Sequence, residues 1–161
     1  MDIKQALGFM LKQNQGALKK LWDEITDEES LKRGEDNLNH IRWIAGHITN
    51  SNGYMVKAAG GTPDIPPGWD ELFRGGKEME EDHSKYPSMN EISDNFDINR
   101  DELYRALEEI PVAKLETAKE LAPDWKIPPQ EALLFLCSHE FYHAGQISMM
   151  RNIVGKQRAF G

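Results

Sequence analysis

Apolar residues recur every three or four positions over four long stretches of the chain, the spacing that lays them along one face of an α-helix. The first stretch, about Ile3 to Ile25, carries Ile3, Leu7, Met10, Leu18, Leu21, Trp22 and Ile25, and Asn14 interrupts the stripe. The second, about Asn37 to Ala59, carries Ile41, Ile44, Ile48, Met55 and Ala59. Gly60-Gly61 and Pro63 stop it, because glycine supplies a left-handed cap and proline cannot extend a helix. The third, about Asn90 to Ile110, carries Ile92, Phe96, Leu103, Leu107 and Ile110 and ends at Pro111. The fourth opens on Pro128-Pro129, which suits a first helical turn, and runs to about Val154, with Gly155 as its cap. Its stripe is Ala132, Leu136, His139, His143, Gln146, Ile147, Met150 and Val154.

No stretch of useful length alternates with a period of two, so no sheet is expected, and no sequence repeat is present. The pattern predicts an all-α protein, a four-helix bundle forming one domain over residues 1–161. The connection from Gly60 to Met89 is of another kind, holding Thr62 to Gly68, a short apolar piece at Trp69, Leu72 and Phe73, then Gly75-Gly76. A connection this long is a crossover or a functional loop, and a crossover lets the second and third helices run parallel. Trp69 and Phe73 read either as a small core beneath that loop or as an apolar lid. Between Val112 and Ile127 there is room for one more helical turn, around Leu115 to Leu121.

Composition narrows the function classes. The formal net charge is −8 and the densest basic stretch is Lys156-Gln157-Arg158, too little to neutralise a run of phosphates, so no nucleic-acid partner is expected. No apolar run nears the ~20 residues that span a bilayer, so no membrane partner is expected either. The start of the chain lacks a secretion-signal pattern, and the single cysteine, Cys137, permits no internal disulfide. The expected location is cytoplasmic. The charged run Lys77 to Asp82 reads as a solvated surface.

The informative chemistry lies in the fourth stripe. His139 and His143 are four residues apart and share the apolar face, where each imidazole needs a hydrogen-bond or metal partner. One ion satisfies both. The letters His139-Glu140-Phe141-Tyr142-His143 also spell H-E-x-x-H, the zinc-protease signature. No His, Glu or Asp follows His143 to supply a third ligand, and no strand is expected to hold a peptide, so the protease reading is set aside. Glu140 then reads as a polar neighbour pointing off the pair's face. An upstream third ligand could be His40, His47 or His83. His83 falls in the charged connection and His40 at the start of a helix, whereas His47 lies mid-helix beside Ile44 and Ile48, level with the pair. His47 is therefore chosen. Three imidazoles leave a coordination position open, as catalytic zinc sites do. Imidazole also suits nickel, iron and copper, so the ligand type does not fix the metal; zinc or nickel is the expected divalent ion, with iron as the alternative.

The segments Arg42-Trp43-Ile44-Ala45-Gly46-His47-Ile48, Ala59-Gly60-Gly61, Trp69-Asp70-Glu71-Leu72-Phe73 with Gly75, His139 to Gln146, and Arg151 to Gly155 together resemble the DinB-like family in order and spacing. The resemblance covers nearly the whole chain. It implies a bundle with up-down-down-up connectivity, a three-histidine metal site at His47, His139 and His143, and a homodimer. Relatives include transferases and isomerases that use low-molecular-weight thiols, so a small thiol and an electrophilic small molecule become the expected partners.

Two readings follow, with a purely structural bundle as a third. In the first the chain is an enzyme in which a metal-held thiolate attacks an electrophile, or, as a variant, metal-held water serves hydrolysis. In the second it is a non-catalytic, dimeric metal- or ligand-binding bundle. Asn50 and Tyr54, one and two turns past His47, and Gln146, one turn past His143, are candidates to orient a ligand. Cys137 points about 200° away from His139 around the helix and reads as a packing residue.

Overall fold

The computed structural model describes residues 1–35 and 38–160. Among these the chain forms seven α-helices and one two-stranded hairpin. The long helices are α1 (Ile3–Trp22), α3 (Ile41–Ala59), α5 (Met89–Glu109) and α7 (Pro129–Ile153). The short ones are α2 (Asp27–Ser30), α4 (Trp69–Leu72) and α6 (Val112–Glu116). The Asn37 start expected for the second helix lies outside the described residues; the helix itself begins at Ile41, with His40 as its N-cap.

Local chemistry sets the boundaries. Asp2, Thr26 and Ser88 each cap a helix, and Gln5, Glu29 and Glu91 return the bond to the cap backbone. The Thr26 capping box explains why the first helix stops at Trp22 rather than Ile25: the chain restarts as α2. At the other end of α3, Gly60 takes a left-handed φ of 87°, and α7 opens with Pro at its first turn as its sequence suggests.

Two expectations need correction. The residues 115–121 do not form a helical turn throughout: α6 ends at Glu116, and Lys119–Ala122 pairs antiparallel with Trp125–Ile127 around Asp124, which adopts a φ of 62°. Strands of four and three residues are too short to show an alternating pattern, so the hairpin is invisible to periodicity. Glu140 is the second correction, described below.

Each long helix packs against two others, α1 on α5 and α7, and α3 on α5 and α7. Arg42 of α3 and the Met89 amide at the start of α5 both reach Asp27, while Gly60 beyond α3 sits beside Ile110 beyond α5. The apolar core is divided in two. One cluster includes Leu18, Trp22, Ile44, Ile48, Phe96 and Ile147, and the other Leu7, Leu11, Met55, Leu103, Leu133 and Leu136. Trp69 and Phe73 of the long connection are buried in the first cluster, so the connection is stitched to the bundle. Among the described residues no helix is long and apolar enough to cross a membrane.

Candidate metal centre

The packing of α3 against α7 brings three imidazoles to one point. His139 Nε2 lies 3.1 Å from His47 Nε2 and 3.0 Å from His143 Nε2, and the ligand atoms of all three residues lie within 4.8 Å of one another. His143 is buried and the other two are half-buried. Burial holds the His139 and His143 rings down to a pKa of about 4, with neighbouring imidazoles adding to the shift, and lowers His47 as well. All three are therefore neutral at pH 7, the form that ligates metals.

The outer nitrogens hold two of the rings in place. His47 Nδ1 lies 2.7 Å from the Phe73 carbonyl oxygen, which only accepts, so Nδ1 carries the hydrogen and Nε2 is bare. His143 Nδ1 lies 2.6 Å from Gln146 Oε1, while Gln146 Nε2 donates to the Tyr142 hydroxyl at 3.1 Å. The Tyr142 hydroxyl can donate or accept, so these contacts hold the His143 ring in place with its Nε2 toward His139 without selecting its tautomer. The bare Nε2 of His47 and the Nε2 of His143 thus both face the nitrogen of a third ring. Nε2 atoms bound to one tetrahedral ion at ~2.0–2.1 Å stand roughly 3.3 Å apart, close to the two Nε2 spacings made by His139. The donor set fits a divalent ion with imidazole ligands.

The Phe73 carbonyl reaches His47 because residue 46 is glycine. A Cβ on Gly46 would lie 2.1 Å from the Phe73 ring. On the other side of His47 the Trp43 indole lies flat against the imidazole, centroids 4.9 Å apart and planes 8° apart. Phe135 and Tyr142, both largely exposed, flank His139 and His143 at the solvent side.

The other candidates fall elsewhere. His40 is fully buried, and its Nδ1 accepts from the Trp43 amide at 3.0 Å as a helix cap. The exposed His83 ring is its neighbour at 5.7 Å, so these two form a separate pair at the start of α3. Asn50 donates to Asp70 Oδ1 at 3.1 Å, and with Tyr54 and Lys57 it lines a cavity of about 280 Å³ beneath the long connection. Gln146 holds His143 and also borders a second, apolar cavity of about 360 Å³, walled by Leu38, Ile44, Met149, Met150 and Ile153. Cys137 is buried away from the cluster, and burial pushes its thiol up to about 12.

Glu140 does point off the pair's face, as expected, but into the centre of the bundle and a buried ion pair. It is 1% exposed and ion-paired with the fully buried Arg100 of α5. Its second oxygen accepts from Asn14 of α1 at 2.7 Å, and its first also accepts from Asn52 of α3 at 3.2 Å. The reading of the sequence missed this node, although Asn14 breaking the first stripe was its signal, and Arg100 falls in register between Phe96 and Leu103. The Phe73 carbonyl had no signal, since a main-chain oxygen carries no residue signature.

The sequence matches the family model described as the DinB superfamily over residues 10–147. The fold is similar to that of a DinB-like protein from Bacillus cereus ATCC 10987, at 18% identity and a TM-score of 0.70, covering 97% of this chain and 93% of that one. It is similar also to a conserved protein from Enterococcus faecalis, at 15% identity and a TM-score of 0.70, covering 97% of this chain and 99% of that one. No curated protein matches.

Proposed function

The chain belongs to the DinB superfamily, and from that membership we propose that it is a divalent-metal-dependent enzyme that transfers a low-molecular-weight thiol to an electrophilic small molecule. His47, His139 and His143 hold the ion, which when bound favours the thiolate form of a coordinated thiol. The observation that carries this reading is the convergence of three imidazoles: the Phe73 carbonyl holds the bare Nε2 of His47 toward His139, and Gln146 holds the His143 ring so that its Nε2 faces the same nitrogen.

The chain's own residues support the rest. The thiol must come from outside, because Cys137 is buried and its thiol is held protonated. Glu140, the acid inside the H-E-x-x-H letters, is engaged by Arg100, which removes the general base that a metal-dependent hydrolase or protease would use there. The apolar cavity beyond Gln146 suits the carbon skeleton of an electrophile, and Asn50 and Tyr54 suit the polar end of a ligand. The end-to-end contacts of α3 with α5 support the up-down-down-up connectivity.

A second reading, a non-catalytic dimeric metal- or ligand-binding bundle, is favoured by the exposed apolar side chains of α7, Phe135, Tyr142 and Met149. Elemental analysis of the purified protein and Co(II) titration test the metal. His139→Ala is expected to abolish binding while leaving the helical circular dichroism intact. A panel of simple thiols and electrophiles then separates the readings: turnover lost in His139→Ala supports the enzyme, and its absence across the panel in metal-loaded protein leaves the binding module.

A further inference from the structure

Hydrophobic burial does not by itself fix how α7 is turned about its axis. Leu133, Leu136 and Ile147 are buried, but Leu134, Phe135, Phe141, Tyr142, Met149 and Ile153 on the same helix are exposed. Apolar contacts are non-directional, and a helix apolar on most of its circumference can bury another face at little loss. The cluster tolerates no such freedom, since a rotation by one residue, about 100°, would carry both imidazoles away from His47.

We propose that the buried node of Asn14, Asn52, Arg100 and Glu140 is the device that sets the rotation and register of α7, and so aims His139 and His143 at His47; its metal-related consequence rests on the reading above. Each long helix contributes one residue, and each of those lies between members of the two apolar clusters on its own helix, as Asn14 does between Leu11 and Leu18. The node is thus a polar layer across the bundle. Glu140 lies between the two histidines along the axis and about 100° and 60° from them around it. Its carboxylate receives directional bonds from the other three long helices, and Asn14 also donates to the Cys137 carbonyl of α7 at 2.9 Å. Slipping or turning α7 by one residue breaks all of them together.

The node is a poor source of stability. Asn14 Oδ1, Asn52 Oδ1, Arg100 Nε and Arg100 Nη1 are buried without a protein partner among the described residues. Buried ion pairs with incomplete bonding are often no more stable than apolar residues of the same volume, and their best-attested use is to specify register.

The test compares wild type with the apolar double variant Arg100→Met/Glu140→Leu. We expect the variant to keep its helical circular dichroism and a cooperative melt, to bind Co(II) at least about tenfold more weakly, and to show altered Co(II) visible bands. In metal-free protein, NMR contacts between the His47 and His139 ring protons should be present in wild type and lost in the variant. If the double variant does not fold, Asn52→Leu, which removes the bond to Glu140 and one to the Ile48 carbonyl at nearly constant volume, carries the same comparison with a smaller loss expected. Wild-type affinity, bands and ring contacts in a folded variant overturn the proposal and leave the metal reading standing. Wild type that binds no Co(II) but shows the predicted pattern of ring contacts overturns the metal reading instead and supports the positioning role.

Discussion

His139 and Glu140 are neighbours in the chain, yet they meet different parts of the molecule. His139 sits on the seam between two helices, half-buried, among rings whose outer nitrogens are tied down by a carbonyl and an amide. Glu140 sits at the centre of the bundle, bonded to side chains from the three other long helices. In the first region neutral donors gather where an ion and solvent can reach them. In the second a charge is withdrawn from water and answered by an opposite charge. The contrast teaches that polar residues in a helical stripe divide by what they converge on: ring nitrogens aimed together offer a place to a cation from outside, whereas a carboxylate facing a guanidinium already has its counter-charge.

The sharpest way to break the comparison is Glu140→Ala. It strands the Arg100 cation in the core, and a loss of roughly 3–5 kcal/mol in unfolding free energy by urea denaturation is expected. A loss under about 1 kcal/mol would mean that the node is hydrated and resembles the seam more than the core.

Acid sensitivity comes next. His40 is fully buried, and burial lowers its pKa from 6.5 to about 4. The unfolded imidazole takes up a proton near pH 6.5 and the folded one does not until about pH 4, so stability is greatest above that window, falls through it and levels off below. The share from His40 is on the order of 3 kcal/mol. His40→Asn keeps a capping oxygen and should flatten the pH dependence of the melting temperature. An unchanged profile would place the acid sensitivity in the cluster instead.

Gln146→Leu tests the seam alone. It frees the His143 ring and should weaken Co(II) or Zn(II) binding about 10–100-fold with little change in urea midpoint. Smallest of all is the expected effect of His139→Ala on folding: within about 1 kcal/mol of wild type when metal is absent. A larger loss would show that the three rings serve the fold as the node does.

Much of the fold was legible in the chain because helix formation is governed by residues three and four apart and by caps at each end. The Pro128-Pro129 opening and the Gly60 stop are both local signals, and they mark two of the long-helix boundaries well. The His139 and His143 pair was legible for the same reason. The hairpin at 119–127 was not, since its pairing depends on a turn and not on periodicity.

The sequence by itself therefore determined the four long helices, some of their ends, and the histidine pair on one face of α7. Only the tertiary structure decided that His40 caps a helix while His47 meets the pair, that the Phe73 carbonyl fixes the His47 tautomer, and that Glu140 belongs to Arg100. The reason is physical. Periodicity records which way a side chain points from its own helix, but a hydrogen bond or an ion pair needs a partner tens of residues away, and that meeting exists only after the helices have packed.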